Sequence, residues 1–218
     1  MKQNINFVIS FVRHGESCGN AGIPYEHLFM KDDPPLSSAG LQQADALRDS
    51  GFLSDADRIY SSTLLRAVQT AYPTAYSLGK SIVLLSDLME TDTEIAGTEF
   101  SRLEDEFPLA IPCTEPTPTG GPLLLGCEDD NKRRLRARRC IDYFLSEAKD
   151  GEHIMVVTHG SYLGYLLGEC LGISTPAAFG WQADNCSVTR VIFRNGNKPK
   201  LSFANFTAHL GKTPLVNF

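Results

Sequence analysis

The sequence predicts an α/β fold: a mostly parallel sheet with helices on both faces. Three observations carry this expectation. Strand-like apolar runs alternate with stretches of helical periodicity along most of the chain. The first run, residues 5–12, is apolar throughout, as in a strand buried on both faces. Two runs end alike, "SFVRHG" and "MVVTHG", and open α/β sheets bind ligands beyond the carboxyl ends of their strands. A chain of 218 residues, 42% hydrophobic and 21% charged, suffices for one large domain with a substantial core.

Each element follows from local pattern. Residues 5–12 read as a strand that stops at Arg13, His14, Gly15 and Glu16. Residues 37–50, "SSAGLQQADALRDS", read as a helix. Ala39, Leu41, Ala44 and Leu47 recur at helical spacing, serines stand in front as caps, and Gly51 stands behind. "DRIYSS" at 57–62 is a short strand, followed by a helix over 63–79 that should bend or break near Pro73. "SIVLL" at 81–85 is a third strand. Residues 91–131 lose periodicity and are rich in proline and glycine. They read as a small irregular lid inserted in a single domain spanning 1–218, with a short helix at 99–106. A helix over 131–149 follows, with Ala137, Ile141, Phe144 and Ala148 as its buried stripe. "HIMVVTHG" at 153–160 is a central strand and "SYLGYLLGECLG" at 161–172 an apolar helix; two further strands lie near 186–194 and 199–206.

Composition excludes several classes. A net charge of −6 provides no global field for nucleic acid or an anionic membrane, so any anionic ligand must be held by local cations. No apolar run approaches the length of a membrane span. The N-terminal apolar stretch is too short for a signal peptide and has no small-residue cleavage site, which places the chain in the cytoplasm. The six cysteines form no CxxC pair and fit reduced thiols, with Cys18 a small buried residue. The basic run "NKRRLRARR" at 131–139 spreads around its helix and reads as a solvated face, not a nucleic-acid surface. His153 and His159 bracket one strand with backbones roughly 20 Å apart, too far to share a metal ion. His27 and His209 read as surface or lid residues, and no metal is expected.

The polar residues at the strand ends point to phosphate chemistry. The pairs His14-Gly15 and His159-Gly160 can face one another across a pocket, with the glycines allowing close backbone approach. Arg66 lies just inside a helix that starts after Ser61-Ser62. A helix start favours anions, and a guanidinium adds a planar fork suited to phosphate oxygens. Glu90 follows a further strand end.

On these residues the sequence resembles the histidine phosphatase superfamily, also called the phosphoglycerate mutase-like family. "RHGES" with Asn20 matches the opening signature. "DPPLSSAGLQQA" at 33–44 resembles the next block and "SSTLLRAVQTA" the arginine helix; "LME" matches the acid-bearing segment and "VVTHGSYLGYLL" the second histidine block. The resemblance runs from residue 7 to about 172. It implies a three-layer α/β/α sandwich and phosphoryl transfer through a phosphohistidine, with no cofactor. By the same resemblance His14 is the nucleophile and Glu90 the proton donor. Arg13, Arg66 and His159 form the phosphate pocket, with Asn20 a further donor and Gly160 a backbone donor.

Elementary chemistry fits those roles. A neutral imidazole can attack phosphorus at pH 7, and cationic groups stabilise the charge spread over the transferring oxygens. The leaving alkoxide needs a proton, which a carboxyl group can supply. Mutases of the family follow the asparagine with an Arg- and Trp-bearing segment. Here "AGIPYEHLFMKDDPPL" has neither, and Lys31 is its only fixed cation. The expectation is a metal-independent, histidine acid phosphatase-type phosphomonoesterase acting on a small phosphorylated metabolite. A phosphoglycerate-type mutase is the alternative, and a non-catalytic phospho-ligand binding module a more distant one.

Overall fold

The computed structural model describes residues 6–25, 33–91, 100–113, 128–173 and 181–211. His27, Lys31, Cys127 and most of the 91–131 segment lie outside the described residues.

In chain order the elements are β1 (Phe7–Arg13), α1 (Cys18–Ala21), α2 (Ser38–Asp49), β2 (Arg58–Ser61), α3 (Leu65–Leu78) and β3 (Ile82–Leu84). Then follow a 3-10 turn (Ser86–Leu88), α4 (Phe100–Glu106), β4 (Ala110–Pro112), α5 (Asp130–Glu147), β5 (Glu152–Thr158) and α6 (Gly160–Leu171). The chain continues through β6 (Val188–Phe193), β7 (Lys200–Phe206) and a 3-10 turn (Ala208–Leu210). One sheet runs β4-β3-β2-β5-β1-β6-β7. The first five strands of that order pair in parallel, and β6 and β7 join antiparallel. The mostly parallel, three-layer α/β/α expectation holds.

Two cores explain the layers. Phe7, Ile9 and Phe11 of β1 pack with Phe144, Tyr162 and Leu166 from α5 and α6. On the other face Val12 packs with Leu47, Leu65 and Val68 from α2 and α3, and with Leu103 of α4. β5 is buried at every position, as a central strand covered on both faces must be.

Four expectations change. α3 runs unbroken through Pro73 from Leu65 to Leu78. Its neighbours Val68, Ala71 and Ala75 are fully buried, and that packing outweighs one lost backbone bond. The buried stripe of α2 is Gly40, Ala44 and Leu47; Ala39 and Leu41 are exposed. Glycine enters the stripe because a Cβ at Gly40 would lie 2.0 Å from the Glu16 carbonyl oxygen. Residues 110–112, inside the stretch read as irregular, form edge strand β4 beside β3.

The basic run is a solvated face only in part. Arg136 is 1% exposed, and its guanidinium pairs with both oxygens of Glu128. Arg139 reaches Asp87, Arg134 and Arg138 share Glu169, and Arg133 meets Asp130. Arg133 pairs along the helix with Asp130, and Lys132 and Arg138 stay exposed.

Candidate active site

Parallel strands deliver their carboxyl ends to one edge of the sheet. β1 and β5 are neighbours in register with Arg13 opposite Thr158, so the next residues, His14 and His159, stand side by side. Their ring centroids are 5.0 Å apart. β2 flanks β5 on its other side and brings Ser62 and the start of α3. β3 lies beyond β2 and leads through the 86–88 turn to Glu90.

His14 is almost wholly buried, and its two ring nitrogens are told apart by their partners. Nδ1 lies 2.6 Å from the Gly15 carbonyl oxygen, which can only accept. Nε2 receives the Nε–H of Arg66 at 3.3 Å, which can only donate. The ring is therefore a neutral Nδ1–H imidazole with its Nε2 lone pair turned toward a guanidinium. Burial, and then the charge of Arg66, hold its pKa well below the ordinary 6.5.

Gly15 is fixed from two sides. Its N–H donates to Thr70 Oγ1, and a Cβ there would sit 2.8 Å from the Gly40 carbonyl oxygen. The glycine thus permits close approach of the loop to α2. Glu16 completes that docking: its carboxylate accepts from Ser37 Oγ at 2.7 Å and its backbone oxygen from Ser37 N–H. It is a tether to the start of α2 and not part of the pocket.

Arg66 is held by Asp33, whose carboxylate lies 3.6 Å from its Nη1 and also accepts the Leu65 N–H that begins α3. Thr70 Oγ1 donates back to the Arg66 carbonyl, tying the arginine turn to Gly15. Arg13 crosses Gly160, where a Cβ would lie 3.1 Å from the guanidinium Nε, and donates Nη1 to the Ala183 carbonyl. Burial lowers the pKa of both arginines; the charges of Glu90 and Asp184 oppose this in Arg13, and those of Asp33 and Glu90 in Arg66.

Glu90 spans the first turn of α6. Its oxygens accept from Tyr162 N–H at 2.9 Å, Ser161 N–H at 3.2 Å and Thr91 N–H at 2.9 Å. The segment before it is clamped to two elements, α5 and β5. Arg136 donates to the Asp87 and Met89 carbonyls, Thr158 Oγ1 to Leu88, and Cys140 Sγ to Asp87. Arg136 also stacks on Tyr162, 3.8 Å from the ring centroid.

Arg13, His14, Arg66, Glu90, His159 and Gly160 are at this edge, whereas Asn20 is exposed. Its side-chain oxygen caps α1 by accepting from Ser17 N–H and takes a second bond from Asn185, which leaves only its amide as a donor. Cys18 is buried with its thiol toward Leu36, as a small core residue should be. His209, read as a surface or lid residue, is half-buried and donates Nε2–H to the Cys186 carbonyl. His153 bonds Ser10 and Asp55. Among the described residues no group of three or more His, Cys, Asp or Glu side chains could hold a metal ion. None of their helices is long and apolar enough to cross a membrane.

Sequence reasoning missed Asp33, Ser62, Thr70, Arg136 and Asn185. Asp33 and Ser62 lie inside motif blocks already noted, so their presence was visible and their contacts were not. Arg136 was hidden within a charge run.

The sequence profile of the histidine phosphatase superfamily (branch 1) matches residues 9–206, and the chain belongs to that family. It is similar to curated proteins named probable phosphoglycerate mutase GpmB. Identity is 28% over 188 residues in Salmonella paratyphi A and 29% over 191 residues in Yersinia enterocolitica, with 85% of each chain covered in both. Among solved structures, a phosphoserine phosphatase mutant from Entamoeba histolytica in complex with phosphoserine superposes with a TM-score of 0.65. It has 23% identity, over 94% of this chain and 99% of that one. A mycobacterial glucosyl-3-phosphoglycerate phosphatase gives 0.63 with 21% identity, over 91% and 98%. These structures share the fold.

Proposed function

We propose that the protein is a phosphomonoesterase that hydrolyses a small phosphorylated metabolite through a phosphohistidine on His14. The observation that carries this reading is the proton placement on His14. The Gly15 carbonyl holds Nδ1–H, which leaves the Nε2 lone pair of a buried ring facing Arg66. A nucleophile whose pKa is pushed well below 6.5 stays unprotonated across the physiological range.

The remaining groups divide the work. Arg13 and Arg66 supply two positive charges for the equatorial oxygens of the transferring phosphoryl group, and His159 adds a neutral donor. Asn20, through its amide, and the Gly160 backbone contribute further donors at the rim. Glu90 delivers the proton to the leaving oxygen and then takes one from the attacking water. The arginines provide the positive charge this chemistry requires, so turnover should survive exhaustive chelation with EDTA. The segment 91–131 serves as the lid. Its proline- and leucine-rich, cation-poor composition suits leaving groups that are neutral or apolar. The described cysteines are free thiols, which fits a cytoplasmic protein.

Mutase activity is the second reading, favoured by the names of the curated relatives. Against it stands the 21–36 segment, with no arginine and one lysine to retain a second anionic group between half-reactions. A screen of phosphomonoesters, with inorganic phosphate release as the readout and a phosphoglycerate interconversion assay beside it, separates the two. Interconversion faster than phosphate release would replace the phosphatase reading with the mutase one.

A further inference from the structure

Ser62 is fully buried at the end of β2, next to His159. Its Oγ accepts the Leu64 N–H at 3.2 Å and lies 2.8 Å from His159 Nε2. Among the described residues no other acceptor is within reach of its hydroxyl proton. A hydroxyl has one donor and two lone pairs. Were the ring proton on Nε2, Ser62 would take two N–H donors, leaving both its own O–H and the buried Nδ1 lone pair unbonded, whereas the other tautomer leaves one group, the Nδ1–H, unbonded. The O–H therefore donates to Nε2, and the imidazole proton lies on Nδ1.

Two further observations give that proton a use. His159 Nδ1 is buried and has no partner among the described residues. The His14 ring, whose Nε2 lone pair is turned toward Arg66, is 5.0 Å away. Burial, followed by the charge of Arg66, keeps His159 neutral, so the choice is between two neutral tautomers.

We infer that Ser62 is a positioning residue whose hydroxyl sets His159 in the Nδ1–H tautomer and so presents a neutral N–H donor to a phosphoryl group on His14. The identity of the group being held rests on the phosphatase reading; the tautomer does not. The two imidazoles share a tautomer and perform opposite tasks. His14 spends its N–H on the Gly15 carbonyl and keeps a lone pair for attack. His159 spends its lone pair on Ser62 and keeps an N–H for the phosphate oxygens. With the other tautomer, His159 would direct a lone pair at an anion.

The test reads ring nitrogens directly. Wild-type protein labelled with 15N-histidine is examined near pH 7 by long-range proton–nitrogen correlation, with His159 assigned from the missing signals of His159→Gln. The expected spectrum shows a protonated Nδ1 and an unprotonated Nε2. Ser62→Ala should give a mixture of tautomers, weaken binding of inorganic phosphate, and lower kcat/KM by about 10²-fold, as when one oriented donor is lost. Ser62→Thr keeps the hydroxyl and should recover the Nδ1–H tautomer. A wild-type His159 protonated on Nε2, or a Ser62→Ala protein that keeps the pure Nδ1–H form, overturns the inference. If Ser62→Ala fails to fold, the wild-type spectrum still decides. An inactive wild type whose His159 carries the assigned tautomer refutes the phosphatase reading and still supports the role of Ser62.

Discussion

The two ends of β5 each carry a buried histidine, and comparing them separates packing from chemistry. At the amino end, His153 uses both ring nitrogens: Nε2 meets Ser10 Oγ and Nδ1 meets Asp55, each at 2.8 Å. Ser10 in turn accepts from Arg190. The Ser–His–Asp order resembles a catalytic relay, yet Ser10 is 0% exposed in mid-strand and cannot meet a substrate. At the carboxyl end, His159 has one satisfied nitrogen and one buried donor left over. Both rings are nearly inaccessible to solvent; the difference that bears on ligand binding lies in the donor and acceptor count. A network that closes on itself stabilises, whereas one that leaves a group over beside two arginines is prepared for an anion.

The most severe attack on this comparison removes the nucleophile beside His159. His14→Ala should lower kcat by at least about 10³-fold, because no other group at that edge offers an imidazole lone pair to phosphorus. Acid-labile features must be respected in the check. Denaturing quench during turnover, kept at alkaline pH, should trap a base-stable phosphoramidate that maps to His14 in the wild type and is missing from His14→Ala. Near-normal turnover in the variant would make this strand end a place where a strand merely stops.

The next test sets the two histidines against each other. His159→Gln should cost roughly 10²–10³-fold in kcat/KM. His153→Leu should leave kcat/KM unchanged and lower the unfolding free energy by about 1–3 kcal/mol, since Ser10 and Asp55 lose a partner. Kinetics and urea unfolding of both variants give the full cross. Equal kinetic losses would mean the Ser10 network reaches the chemistry.

How much of this could be read from the chain depends on what kind of fact it was. The parallel sheet followed from apolar runs and His-Gly strand ends, which are local signals. The pocket's cations were legible because Arg13 and Arg66 lie within two residues of strand or helix ends. Gly15 was legible as a glycine but not as half of a contact with Gly40, which lies 25 residues away in sequence and meets it only when α2 docks. Arg136 was illegible for the opposite reason. Six cations in one helical stretch look alike in sequence, and only the fold shows that one is buried under Tyr162 with Glu128. α2 misled because alanine and leucine at helical spacing outweigh a glycine in any apolar count, whereas close packing at Glu16 selected the glycine.

Arg136 provides a third test, at the carboxyl end but one layer back. Arg136→Met leaves Glu128 buried without its partner and orphans the Met89 carbonyl next to Glu90, at a cost of about 3–5 kcal/mol. Loosening the 86–90 segment should also slow esters with poor leaving groups more than activated aryl esters, by misplacing Glu90. A uniform loss across leaving groups would confine Arg136 to stability.

The smallest expected effect is a difference in titration. Burial lowers the pKa of His153, and the neighbouring Asp55 carboxylate opposes that shift. Burial lowers His159 much further, and the charges of Arg66 and His14 act in the same direction. As pH falls, His153 should therefore protonate before His159. For both groups the folded value lies below the unfolded value near 6.5, so the unfolded chain binds more protons just below that pH. Each histidine thus makes stability fall as pH drops through about 6.5, and its contribution levels off once the folded ring is itself protonated. His153 should level off first, with His159 continuing to lower stability at more acidic pH. Histidine ring titrations by NMR, assigned with His153→Leu and His159→Gln, measure the order. If His159 titrates above His153, the carboxyl end of β5 does not carry the positive field on which its reading as an anion site depends.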